Sequence, residues 1–118
     1  MTFEIYFWIM AKPQNAAAVL RALKTFGAPL MDLEEEDFHK PGMVFQIGTE
    51  PQRIYILSAI SGLAYEDAVS RAVHMEVDGL SLKVIALDDL IANKRASGRP
   101  KDIVDAMTLE KMKEKKNG

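Results

Sequence analysis

Carboxylates, cations and imidazoles are the groups with which this 118-residue chain can do chemistry, because it contains no cysteine and only two histidines. A nucleophilic thiol, a thiolate metal site and a disulfide framework are therefore excluded. His39 and His74 stand at no ligand-like spacing from a serine or a carboxylate, so each is read as incidental. The run Glu34-Glu35-Glu36-Asp37 places four acids in succession. Such runs are ordinarily solvated, and acids are favoured at a helix N-terminus, so a short helical turn is expected there rather than a metal site. No metal ion and no cofactor is expected. Lys94, Arg99 and Lys101 lie close in sequence to Asp102 and Asp105. These cations either hold an anion or pair with the carboxylates and fix two helices against each other.

The elements that position these groups follow from hydrophobic spacing. Residues 2–9 alternate with period two, Phe3, Ile5, Phe7 and Ile9 on one face and Glu4, Tyr6 and Trp8 on the other, which predicts a central strand. Pro13 suits a helix start, Ala16, Val19, Leu20, Leu23 and Phe26 continue at helical spacing, and Gly27 ends it. Met43 to Ile47 and Arg53 to Ser58 are β-rich and flank a turn with Pro51, which predicts antiparallel neighbours. Glu66 to Arg71 is a short helix candidate. Val73 to Val77 and Leu80 to Ile85 flank Asp78-Gly79, the dipeptide preferred where both turn residues need positive φ, so a hairpin is expected. Leu87 to Arg95 and the segment beginning at Pro100 read as two helices, the second burying Ile103, Val104, Met107 and Leu109. Met31, Met43, Met75, Met107 and Met112 read as core filler. One α+β domain over residues 1–110 is expected, with a charged, flexible tail over 111–118.

Several segments together resemble the nucleotidyltransferase-like family that includes the abortive-infection toxin AbiEii and the minimal nucleotidyltransferases of toxin–antitoxin pairs. The likeness is clearest over Leu90-Ile91-Ala92-Asn93-Lys94-Arg95-Ala96-Ser97-Gly98-Arg99-Pro100-Lys101-Asp102-Ile103-Val104-Asp105. It extends upstream through Phe45-Gln46-Ile47-Gly48, Pro51-Gln52-Arg53-Ile54 and Ser61-Gly62 to Tyr65-Glu66-Asp67-Ala68. The resemblance implies a mixed sheet with helices packed on it and two C-terminal helices. Activity in that family requires metal ions held by three carboxylates, two of them one residue apart on a strand and the third on its neighbour. The family's Thr-x-Asp-Ile-Asp stands here as Thr2-Phe3-Glu4-Ile5-Tyr6, and its Arg-Ile-Asp as Arg53-Ile54-Tyr55. Glu4, Tyr6 and Tyr55 thus occupy vestigial catalytic positions, and only Glu4 is ionised at neutral pH. The family's phosphate-cradling Gly-Ser element precedes the first pair by more residues than this chain has before Thr2, so a shortened member is expected.

On that resemblance the expected function is binding or protein interaction without catalysis, in a bacterial mobile-gene or toxin–antitoxin-like setting. Two alternatives stand beside it: weak nucleotide binding in which Lys94, Arg99 and Lys101 contact phosphates, and half of a transferase completed by another chain. Tyr6, Trp8 and Tyr55 share a sheet face and are interface candidates, with a homodimer as the expected assembly and a protein as a further possible partner. Lysine and arginine total 15 against 17 acids, a net charge of −2, so nucleic acid is not an expected partner. No apolar run approaches the ~20 residues that span a bilayer, and the first ten residues carry no basic region, so a cytoplasmic protein with no membrane partner is expected.

Overall fold

The computed structural model describes residues 3–30, 33–49 and 51–117. The expectations attached to Thr2 and Met31 lie outside the described residues. The protein is mixed α+β, and the chain divides into two compact units, Met1–Ala59 and Ile60–Gly118.

The first unit holds a three-stranded mixed sheet in the order β1-β3-β2, formed by β1 (Phe3–Trp8), β2 (Val44–Ile47) and β3 (Gln52–Leu57). β1 runs parallel to β3, while β2 is antiparallel to it. Helix α1 (Pro13–Phe26) connects β1 to the rest, with Pro at its first position, where the missing N–H costs no intrahelical bond. Gly27, at φ 89°, ends it, and the N–H groups of Gly27 and Ala28 both reach the Leu23 carbonyl at 3.1 Å. A 3-10 turn at Glu35–His39 follows, and Asp37 accepts the Glu34 N–H at 2.9 Å. That bond first, then the Lys40 charge, holds the Asp37 carboxyl below the usual carboxylate range. Ala16, Leu23, Phe38, Ile47 and Ile56 form the core, with Phe38 wholly buried and packed edge-on to Phe45.

β1 is an edge strand, not the central strand expected from its two apolar faces. Only β3 pairs with it among the described residues, and Ile5, Tyr6 and Phe7 are exposed. The physical reason is that alternation reports which side chains share a face but not how many neighbours a strand has.

The second unit begins with α2 (Tyr65–Ser70) and the hairpin of β4 (Val73–Val77) and β5 (Leu80–Val84), closed by Asp78 at φ 51° and Gly79 at φ 81°. Two helices, α3 (Leu87–Ser97) and α4 (Pro100–Asn117), pack against each other. α4 remains helical over residues 111–117 of the segment expected as a charged, flexible tail. The inward face of α4 carries Asp102 and Ala106; of the stripe expected there Ile103 and Leu109 are half-buried, whereas Val104 and Met107 are exposed, which corrects that part of the expectation. Met75 and Met112 are likewise exposed rather than core filler. Met43 does pack against the core.

Candidate functional site

Period two in β1 and β3, with an in-register parallel pairing, stacks side chains on one sheet face. Glu4 stands beside Arg53, Tyr6 beside Tyr55 and Trp8 beside Leu57, while Gln46 of β2 lies beside Tyr55 on its other flank. The Arg53 Nη2 donates to Glu4 Oε1 at 2.5 Å, and the Tyr6 hydroxyl donates to Glu4 Oε2 at 2.5 Å. Both carboxylate oxygens are thereby engaged. The Tyr6 and Tyr55 rings stack at 4.9 Å with a 10° interplanar angle, and the Arg53 guanidinium carbon sits 5.9 Å from the Tyr55 centroid. That last distance is at the outer limit of a useful cation–π contact.

Tyr6 is more than half exposed, yet its hydroxyl is drawn onto Glu4. Partial burial first, then the hydrogen bond to Glu4 and the charge of that carboxylate, push the phenol up to about 12. Tyr6 is accordingly a proton donor, not an anionic ligand, across the whole neutral range. Glu4 and Arg53 are mostly covered, Tyr55 and Trp8 are half-buried, and Tyr6 is the open part of the face. Among the described residues no group of three His, Asp or Glu side chains is placed to hold a metal ion. His39 ends the 3-10 turn and His74 lies opposite Lys83 on the hairpin.

In the second unit the cations and acids of α3 and α4 form a network. The turn at Gly98, with φ 69°, brings the start of α4 back against the last turn of α3. Asp102, almost fully buried, accepts the Ser97 hydroxyl at 2.6 Å and the Arg99 Nε at 2.9 Å, with the Lys94 ammonium at 3.5 Å. Lys94 also reaches Asp105 at 3.3 Å. The Ser97 hydrogen bond first, then Arg99 and Lys94, hold the Asp102 carboxyl below its ordinary range. Arg99 is largely solvent-exposed and Lys101 is exposed on the first turn of α4. Lys94 and Arg99 are thus brought together on carboxylates. Lys101 is not part of that network.

Three participants escaped the sequence reading of the sites. Arg53 was legible in principle, because it lies two residues before Tyr55 and so shares its face. Ser97 is five residues from Asp102, a spacing across a helix–helix turn that carries no periodic signal. Arg71 grips both oxygens of buried Asp89, with its Nε at 3.2 and 2.9 Å and its Nη2 at 3.0 Å, and 18 residues separate the pair.

No family model matches the chain, and no curated protein and no solved structure matches it.

Proposed function

We propose that this protein is a catalytically inactive nucleotidyltransferase-like protein that acts by binding, with the face of Tyr6, Trp8 and Tyr55 as its interaction surface and a second copy of the chain as its partner. The observation that carries the reading is the state of Glu4. Its two oxygens accept from Arg53 and from Tyr6, and the two remaining positions that the family pattern assigns to metal-binding acids are filled by the stacked pair of Tyr6 and Tyr55. A metal pair of the kind nucleotidyl transfer uses needs several free carboxylate oxygens converging on one point. A phenol pushed up to about 12 supplies none at neutral pH. What this face offers instead is aromatic area with little rotamer freedom to lose, the composition that suits a protein contact. On the resemblance, the proposed setting is a toxin–antitoxin-like or mobile-gene one in a bacterial cytoplasm.

The test of inactivity is incubation of the purified chain with labelled ATP, GTP, CTP and UTP, magnesium or manganese, and the chain itself or RNA as acceptor. No nucleotidyl product is expected. Metal-dependent product that disappears in Glu4→Gln would overturn the reading.

A further inference from the structure

β1 has one strand neighbour among the described residues, and its own sequence carries none of the residues that usually protect a sheet edge. It contains no proline, glycine or lysine, and its single charge, Glu4, is already neutralised by Arg53. Three successive residues are open to solvent, Ile5 at 54%, Tyr6 at 56% and Phe7 at 51%, so both faces of the strand are exposed at this edge. The opposite edge, β2, is only four residues long. Short edge strands are a common device against pairing, whereas a longer, flat, apolar one is a template for it.

Resting on the reading that a second copy of the chain is the partner, and placing the contact at the edge of the sheet beside the aromatic face, we propose that β1 pairs with β1 of a second copy, antiparallel across a twofold axis at Tyr6, to give one six-stranded sheet. The direction follows from symmetry, since a strand paired with its own copy across a perpendicular twofold is antiparallel. The register follows from the backbone and from charge. Ile9 N–H donates to the Leu57 carbonyl at 2.8 Å, so the odd-numbered residues of β1 direct their N–H and C=O groups to β3. Tyr6, an even-numbered residue, directs its pair away from β3. Centring on Tyr6 aligns residues 4–8 of both copies, with Ile5 opposite Phe7 on one face and Glu4 opposite Trp8 on the other. The two Glu4 side chains then stand roughly 14 Å apart at the ~3.4 Å rise of a strand. Centring on Glu4 would set like charges face to face and is disfavoured. In the Tyr6 register the stacked Tyr6–Tyr55 pairs of both copies join into one aromatic row across the axis.

The chain has no cysteine, which makes a single introduced thiol a clean reporter. Residues in a hydrogen-bonded antiparallel pair have Cα atoms ~5.5 Å apart, within the disulfide range. Under mild oxidation, Tyr6→Cys is expected to form covalent dimers at least about tenfold faster than Gln46→Cys on the opposite edge strand. Light scattering at about 100 μM, a concentration that populates dimers of micromolar affinity, reads the unmodified state. Wild type is expected to be a dimer, and Tyr6→Pro a folded monomer, because proline removes the outward N–H and leaves those that serve β3. Tyr6→Ala, which keeps that N–H, is expected to retain more dimer than Tyr6→Pro. Circular dichroism reports whether the proline variant folds, and the two cysteine variants decide the matter if it does not. A wild-type dimer together with equal crosslinking rates for Tyr6→Cys and Gln46→Cys overturns the edge pairing and leaves self-association standing. A wild-type monomer overturns both, while inactivity is decided separately by the transfer assay.

Discussion

Replacing Asp102 with alanine is expected to destabilise the helical unit by about 2–3 kcal/mol, and the magnitude can be built donor by donor. Asp102 is 8% exposed and takes three donors, Ser97 at 2.6 Å, Arg99 at 2.9 Å and Lys94 at 3.5 Å. The Arg99 side chain is 78% exposed, so solvent screening reduces its pair to about 0.5 kcal/mol or less. Lys94 sits at the outer edge of bonding distance and keeps Asp105 at 3.3 Å when Asp102 is gone. The main loss is the Ser97 hydrogen bond to a buried carboxylate, about 1.5–3 kcal/mol for a charge-assisted bond. Ser97→Ala is therefore expected to approach the cost of Asp102→Ala, and Arg99→Ala to stay within about 0.5 kcal/mol of wild type. Urea unfolding followed by the helical signal at neutral pH measures all three. The pH dependence has a definite sign: a carboxyl depressed in the folded state adds stability that is complete above the unfolded value near ~3.9 and is lost as pH falls through the folded value. Asp102→Asn is expected to be flatter than wild type on that acid limb. An Arg99→Ala variant as damaging as Asp102→Ala, or an unchanged acid limb in Asp102→Asn, would refute the reasoning.

Two further outcomes test the remaining geometry. Ultraviolet titration should find the Tyr6 phenol near 12, and Glu4→Gln should lower it while leaving the part due to burial; because the folded-state value is the higher one, stability attached to Tyr6 is present below about pH 10 and declines as pH rises toward 12. A Tyr6 phenol that titrates normally would show that its hydroxyl is not held on Glu4. Gly62→Ala is expected to cost about 3 kcal/mol, since it adds overpacking to left-handed strain, its Cβ falling 2.6 Å from the Ala96 Cβ at φ +79°. Gly98→Ala, at φ +69° with nothing within 4 Å, is expected to cost about 1 kcal/mol, and equal costs in denaturant unfolding would sink the argument for close packing of Ala96 on Gly62.

Where residue type alone dictates backbone conformation, the sequence was readable to the residue. Proline at a first helical position and glycine past the last bound α1 at Pro13–Phe26, and Asp78-Gly79 fixes the β4–β5 hairpin because few other pairs tolerate two positive φ values. Legibility ends where a long-range partner decides. In α4 the apolar residues Ile103, Val104, Met107 and Leu109 suggested the inward face, but Asp102, buried and bonded to Ser97 of α3, sets a face toward α3 that leaves Val104 and Met107 exposed. The strand β1 shows the same limit: its alternation was correct, and its place at the edge is a property of the sheet. The Arg71–Asp89 fork spans 18 residues and leaves no periodic trace.

The chemistry left at Glu4 can be argued from lone pairs and charge. A carboxylate that serves a hard cation presents oxygens to it, with further anions nearby to balance its charge. Here Oε1 takes a guanidinium and Oε2 takes a phenol. A divalent ion approaching Glu4 meets the guanidinium of Arg53 on one oxygen and must displace it to gain that ligand. The phenol's raised value keeps its proton in place through the neutral range, so Tyr6 offers no anionic oxygen beside Glu4. Glu4 and Arg53 together are close to neutral, and the stacked rings beside them add area without charge. A near-neutral aromatic face gives little electrostatic attraction to a polyphosphate and little resistance to a second apolar surface, which favours a protein contact at this face over a metal–nucleotide complex.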